Sequence, residues 1–323
     1  MPKKPGKGGA GPENYDPATG QYIDTEKEEG TEVENGAVSG GQGQESVAEE
    51  DDFSDIEFLS DTALEDFMSE LEDLNQMSSI PPLNSLQEVE DNIEQFFSKR
   101  VVDQLDRLVN RSANCQPFQF HPKANPWVNL NIYTCVFGKY RYQDNHATYI
   151  SQSEYLKMAR DTANFAKVYR GITSQGARRQ SILDSYATMD IDNLDIYGNG
   201  MYGTNVYTTL SIQYARSYGT PIMGLVDKNA RSIESDDLHA IRSGFDFTNM
   251  EKRVVTHLQG MGLTPERSGE IAHYFVSAVK NDISLVAILL GYDYQYGDGS
   301  YNGYPNHQRN ILNLKKWYIV KEY

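Results

Sequence analysis

The stretch Gly198–Gly219, GNGMYGTNVYTTLSIQYARSYG, decides how the chain reads. Two glycines spaced G-x-G open it, and small and aromatic residues continue through Met201, Tyr202, Gly203 and Val206 to Tyr207-Thr208-Thr209. Glycine suits a backbone that turns through positive φ or approaches another backbone or a ligand. Thr208 and Thr209 place two hydroxyls at the end of a β-prone run. Ile212, Ala215 and Arg216 then recur at spacings of three and four, which predicts a helix. The stretch therefore reads as a bent strand feeding a helix beside a pocket.

Working outward, charge divides the chain. Residues 1–100 hold 6 of the 29 Lys/Arg but 25 of the 46 Asp/Glu, so the net charge of −17 belongs to the N-terminal segment. The remaining 223 residues are nearly neutral and carry no Lys/Arg stripe of the kind that neutralises phosphates, so nucleic acid is not an expected partner. Cys115 and Cys135 form neither a metal-ligand spacing nor a disulfide framework, and the scattered histidines add no metal pair. No run of 18 apolar residues and no apolar leader follows MPKKPGKGGAGPE, which argues against a membrane span or a secretory signal.

Residues 1–50, rich in Gly, Glu, Ser and Pro, are expected to be disordered. Residues 51–110 read as an acidic helical segment. Leu64, Phe67, Met68, Leu71 and Leu74 line one face, suited to a partner groove or to the protein's own body. Pro81-Pro82 breaks that helix, and a second is predicted over Ser85–Val109. Residues 110–150 read as irregular around short β-prone runs such as Trp127–Phe137. A helix capped by Ser153 is expected over Glu154–Phe165. Ala166–Gly171 and Ile222–Val226 read as strands, and Thr264-Pro265 as a helix start. Asp282–Leu290 reads as a buried helix capped by Gly291, Tyr292–Tyr304 as a mobile lid or surface loop, and Ile311–Val320 as a final β run. Without a regular βαβ rhythm, the body over 111–323 is expected to be α+β, built of small mixed or antiparallel sheets.

The order of YRG at 169–171, GNGMYGTNVYTT at 198–209, YARSYG at 214–219, KNARSI at 228–233, AILLGYD at 287–293 and ILN at 311–313 resembles the ADP-ribosyltransferase superfamily over about residues 150–323. It is most similar to the transferase-like domains of bacteriophage head-associated and toxin-like proteins. The resemblance implies an α+β fold split into two small sheets with flanking helices around an NAD⁺ cleft. It also implies transfer of ADP-ribose from NAD⁺ to a protein acceptor, possibly a host protein, in a virion or the host cytoplasm. Arg170 matches the arginine that contacts the NAD⁺ phosphate and ribose. Gly171 would let the nicotinamide amide approach the backbone, Thr208 and Thr209 match the Ser/Thr pair bracing the pocket, and Tyr202 or Tyr207 could stack on the nicotinamide ring. Gly200 completes the NAD⁺-binding candidates. The superfamily usually has a Glu near the last strand, whereas His307–Asn313 holds no acidic residue. Gln308, or Asn313 in a shifted alignment, takes its place, so the catalytic candidates are Arg170, Thr208, Gln308 and Asn313. The alternative implied is a degenerate transferase fold acting as a virion-associated structural or interaction module, with the acidic segment 51–74 as a docking element.

Overall fold

The computed structural model of the chain describes residues 76–114, 126–188, 198–200, 202–301 and 304–322, together with an antiparallel pairing of Tyr15–Asp16 with Gln21–Tyr22. The tail expected over 1–50 is otherwise outside the described residues, as is the helix face expected over 64–74.

Where the sequence predicts one helix over Ser85–Val109, the structure has three pieces: α1 (Leu86–Asp91), a 3₁₀ turn (Ile93–Phe96) and α2 (Lys99–Asn114). The Asn92 side-chain amide donates to the Glu88 carbonyl at 2.8 Å and ends α1, and the Ser98 hydroxyl accepts the Val101 N–H at the start of α2. The breaks turn Phe96 and Phe97 inward, where Phe97 meets Phe137 and Phe275 edge-on. The irregular, β-prone reading of 110–150 is corrected by α3 (Pro126–Arg141). Tyr133, Val136, Phe137 and Tyr140 are buried at helical spacing, and that burial outweighs their strand propensity.

The chain then forms β1 (Thr148–Ile150), α4 (Gln152–Met158), β2 (Phe165–Ile172) and α5 (Gly176–Thr188). Ser151, not Ser153, caps α4. Its hydroxyl accepts the Glu154 N–H while the Glu154 carboxylate accepts the Ser151 N–H, and the helix stops seven residues before Phe165 enters β2. The opening stretch folds as read: β3 (Gly198–Gly200) and β4 (Gly203–Thr209) are followed by α6 (Ile212–Arg216). After it come β5 (Thr220–Asp227), β6 (Ser232–Glu234), α7 (Ser235–Ser243), α8 (Thr248–Gly260), α9 (Pro265–Asn281) and α10 (Ile283–Leu290). Thr264 and Pro265 start α9, and Gly291 closes α10 at φ 80°, as the sequence predicts. The supposed lid at Tyr292–Tyr304 is corrected to β7 (Tyr294–Tyr301), paired along its length with β8 (Tyr304–Ile311). Alternation in YQYGDGSY is masked by its glycines, which read as loop. A 3₁₀ turn at Leu314–Lys316 separates β8 from β9 (Trp317–Val320), so the expected final β run is two strands.

The body is mixed α and β around one mixed sheet of eight strands in the order β1-β9-β5-β2-β4-β8-β7-β6, with β3 paired onto β4. The end pairs, β9 with β1 and β6 with β7, are parallel; the others are antiparallel. Where the sequence suggests two small sheets, one hydrogen-bonded path runs through all eight strands. Its two four-strand halves meet at a single register pair, Tyr169 with Thr209.

α5 covers one face of the sheet, with Ile182, Leu183 and Tyr186 packed on Val168, Val226, Trp317 and Ile319. Beyond the sheet lies a helical core in which Met77–Val109 packs with α3, α8, α9 and α10, so the boundary expected at residue 110 falls inside a shared core. All eight residues of α10 are buried, and no single helix among the described residues is long and apolar enough to cross a bilayer. Hydrogen bonds from polar side chains fix both ends of α10. At its N-terminus Asp282 caps Ser284 N–H at 2.9 Å and also accepts Thr204 N–H at 3.1 Å and the Thr134 hydroxyl at 3.1 Å. At its C-terminus Arg141 donates to the Ile288 carbonyl and Arg231 to the Leu290 carbonyl, the sign of charge that a helix dipole favours there. Gly203, at φ 76°, has to be glycine because a Cβ there would lie 2.2 Å from Asp282 Oδ1.

Asp282→Ala leaves the Thr204 and Ser284 N–H groups without their acceptor and removes the cap, so urea unfolding should show a loss of about 3 kcal/mol or more. Asp282→Asn keeps an acceptor and should lose less. Burial pushes the Asp282 carboxyl up, although its hydrogen bonds pull partly the other way. A raised folded pKa means the stability it contributes is present at low pH and is lost as pH rises through that value. The stability difference, wild type minus Asp282→Asn, should therefore shrink with rising pH above the ordinary Asp range; a flat difference contradicts the assignment.

Candidate functional site

The joint between the half-sheets is where β2 and β4 part. Tyr169 pairs with Thr209, and one residue on, Arg170 pairs with Ile222 of β5. The Arg170 guanidinium reaches across the parting and its Nη1 donates to the Tyr207 carbonyl at 3.1 Å, a side-chain bond where the β2–β4 ladder has stopped. Its Cζ lies 5.8 Å from the Tyr186 ring centroid, and Tyr186 meets Trp317 edge-on. Alternation along β2 and β4 puts Thr208 on the same face as Arg170. The Thr208 hydroxyl donates to the Arg309 carbonyl, its register partner on β8. Arg309 in turn lies over the Tyr296 ring, 5.2 Å from its centroid.

Tyr207, Thr209 and Gln308 occupy the other face. Thr209 Oγ1 accepts Ser211 N–H at 3.1 Å and braces the turn into α6, while the Tyr207 hydroxyl donates to the Gly203 carbonyl at 2.7 Å. Gln308, in register with Thr209, is buried. The predicted residues thus divide. Arg170 and Thr208 come together on one face, with Tyr207, Thr209 and Gln308 behind them at the same joint. Gly200 pairs with Gly203 at the opposite end of β4. Tyr202 also starts from that end, but its phenol extends to Gly297, the register partner of Gln308, and burial raises that phenol's pKa. Asn313 is not brought to the joint: it lies beyond β8, accepts Lys315 N–H at 3.2 Å and donates to Asp293 at 2.6 Å. Gly171 has a packing reason rather than an open approach, since a Cβ there would lie 2.0 Å from the Ala215 carbonyl of α6.

The sequence reading missed a charged cluster on the Arg170 face. Asp298 of β7 pairs with His307 of β8. Its carboxylate accepts from His307 Nδ1 at 2.9 Å and from Arg309 Nη1 at 3.5 Å. The His307 bond, helped by Arg309, holds the Asp298 carboxyl below its ordinary range. The spacing of His307 and Arg309, two apart on a strand, was a usable signal, but taking 292–304 as a loop hid their partner. Among the described residues no group of three or more His, Cys, Asp and Glu side chains is arranged to hold a metal ion.

Gly171→Ala should force α6 away from β2 and cost about 1–3 kcal/mol, the usual range for overpacking. Gly269→Ala in α9, where a Cβ meets nothing within 4 Å, should be neutral or stabilise by about 0.5–1 kcal/mol. Thermal melts of both variants check the contrast.

The chain matches no family model, no curated protein and no solved structure.

Proposed function

We propose that the joint between the half-sheets is an NAD⁺ cleft and that the chain is an ADP-ribosyltransferase-like protein modifying a protein acceptor, associated with a bacteriophage or a toxin system. The observation that carries this reading is Arg170, held at the parting of β2 and β4 by the Tyr207 carbonyl with Thr208 beside it. A guanidinium at the mouth of a split sheet offers a rigid fork of donors for a pyrophosphate. The resemblance implies two small sheets around a cleft, and the single register pair between the half-sheets is the feature that supports this reading. In the reaction the ribose C1′–nitrogen bond breaks, nicotinamide leaves with the electron pair, and an acceptor nucleophile bonds to C1′ and gives up its proton. Arg170 would hold the phosphates, and the Thr208–Arg309 and Thr209–Ser211 hydrogen bonds would keep the cleft wall fixed.

A second reading, binding without transfer, is favoured by one fact. β8 carries no carboxylate, and the residue in register with Thr209 is the neutral Gln308. An oxocarbenium-like centre without a facing negative charge lacks a stabilisation that often contributes orders of magnitude in rate.

Calorimetric titration should show NAD⁺ binding to the wild type. Arg170→Ala should weaken it by about tenfold or more, and Arg170→Lys should restore little, because an ammonium lacks the bidentate fork. No binding at millimolar NAD⁺ ends the transferase reading and leaves the structural or interaction module. Nicotinamide release separates them: turnover by the wild type supports transfer, whereas binding without turnover supports the module. In the latter case Gln308→Glu should leave NAD⁺ consumption unchanged, because residue 308 lies on the face of the sheet away from Arg170.

A further inference from the structure

The half-sheet of β1, β9, β5 and β2 carries α5 on one face. On its other face the seven residues of α4 cover a small cluster of Ile150, Tyr155, Leu225 and Val320. The apolar surface continues past that cluster, where Phe165, Met223 and Tyr318 are only partly buried, and Leu156 of α4 is 52% exposed. Phe165 and Tyr318 meet edge-on with centroids 5.6 Å apart. Lys167 alternates with Phe165 and Tyr169 along β2 and pairs with Leu225, so its exposed ammonium stands in the middle of this surface. Charge around the face is lopsided. Lys157, Arg160, Lys167, Lys228 and Lys321 are all exposed, and none forms an ion pair among the described residues. The neighbouring carboxylates are engaged: Glu154 accepts from Ser151 and Asp161 from Asn164, while Asp227 pairs with Lys316 and Glu322 with Arg179.

An apolar sheet face rimmed by cations without ion-pair partners suits an occupant that brings apolar side chains and carboxylates together. The chain holds such a segment just before its described body. Asp61–Leu74 has no Lys or Arg, carries Asp61, Glu65, Asp66, Glu70, Glu72 and Asp73, and sets Leu64, Phe67, Met68, Leu71 and Leu74 at helical spacing. As a helix this length extends about 21 Å, against about 26 Å for the eight residues of β2. The point of entry fits as well. Arg141 holds the carbonyl of Met77, three residues after Leu74, and Arg231 holds that of Leu83. Arg231 is four residues beyond Asp227, the register partner of Phe165, so at most about 14 Å of chain separates that anchor from the end of the face. We propose that Asp61–Leu74 docks on this face as an amphipathic helix, its apolar side toward Phe165, Met223 and Tyr318 and its carboxylates toward the five cations. The proposal uses neither Arg170 nor the dinucleotide, and it stands or falls separately from the NAD⁺ reading.

Photocrosslinking of the full chain tests it. With Phe67→p-benzoylphenylalanine, irradiation of a dilute sample should join residue 67 to Met223 or its neighbours on β2, β5 and β9 within one molecule, as mapped by mass spectrometry. Lys167→Glu, at an exposed position, should keep the melt of the parent chain and cut that product about fivefold or more, and raising the salt to about 1 M should also reduce it. Crosslinks to another surface of the chain overturn the proposal, as does an unchanged product in folded Lys167→Glu protein. Crosslinks between molecules that rise with concentration would seat a second copy on the face, and no internal product would leave it to an outside partner; either result also overturns the proposal. Should Lys167→Glu not fold, Lys321→Glu takes its place.

Discussion

A short apolar helix gripped by a buried carboxyl at one end and two guanidinium groups at the other organises this molecule. α10 has no polar face with which to find its place, and hydrophobic burial alone is non-directional. Asp282 supplies direction at one end by binding the Ser284 N–H of α10, the Thr204 N–H of β4 and the Thr134 hydroxyl of α3 together. Arg141 and Arg231 supply it at the other, and they also grip the carbonyls of Met77, Pro81 and Leu83, so the segment before α1 is tied to the same helix end. Arg141 is buried without a carboxylate partner in its hydrogen bonds; four carbonyl oxygens and the helix dipole meet its charge instead. Burial nevertheless lowers its pKa.

From that anchor the order of the sheet follows. Fixing Thr204 fixes the register of β4, and β4 sets β8 through Val206–Thr209. β8 then sets β7 along eight pairs. The other half-sheet is assembled on β2 and β5, which also share eight pairs. Between these well-zipped halves the strand ladder is a single register pair, with the Arg170–Tyr207 bond beside it and the side chains of α5 packed in a core that both halves share. The arginine does structural work there whether or not it also meets a ligand.

Much of this was legible where a residue type has one physical use. Thr264-Pro265 could only begin a helix, Gly291 only end one, and the Tyr169-Arg170-Gly171 strand and the Gly198–Gly219 turn lie where their patterns put them. The reading failed where tertiary burial chose between two local possibilities. Tyr133, Val136 and Phe137 suit a strand until a helical core surrounds them, and the glycines of Tyr294–Tyr301 look like a loop until β8 lies alongside. Of the groups gathered at the joint, Arg170 and Thr208 could be picked out in advance. Asp298 could not, because its partners His307 and Arg309 are its neighbours only through the hairpin.

The place of β9 has a consequence for how the chain is made. Trp317–Val320 inserts between β1 and β5, so the last of the four strands of this half-sheet to be synthesised is the second from its edge. Until it emerges from the ribosome, β1 has no partner in the sheet and Gly224 has no indole above it. The half-sheet of β4, β8, β7 and β6 has all its strands once residue 311 is made. Assembly during translation is thus staggered, with one half complete while the other exposes an unpaired strand edge, the kind of surface that chaperones bind and that aggregation exploits.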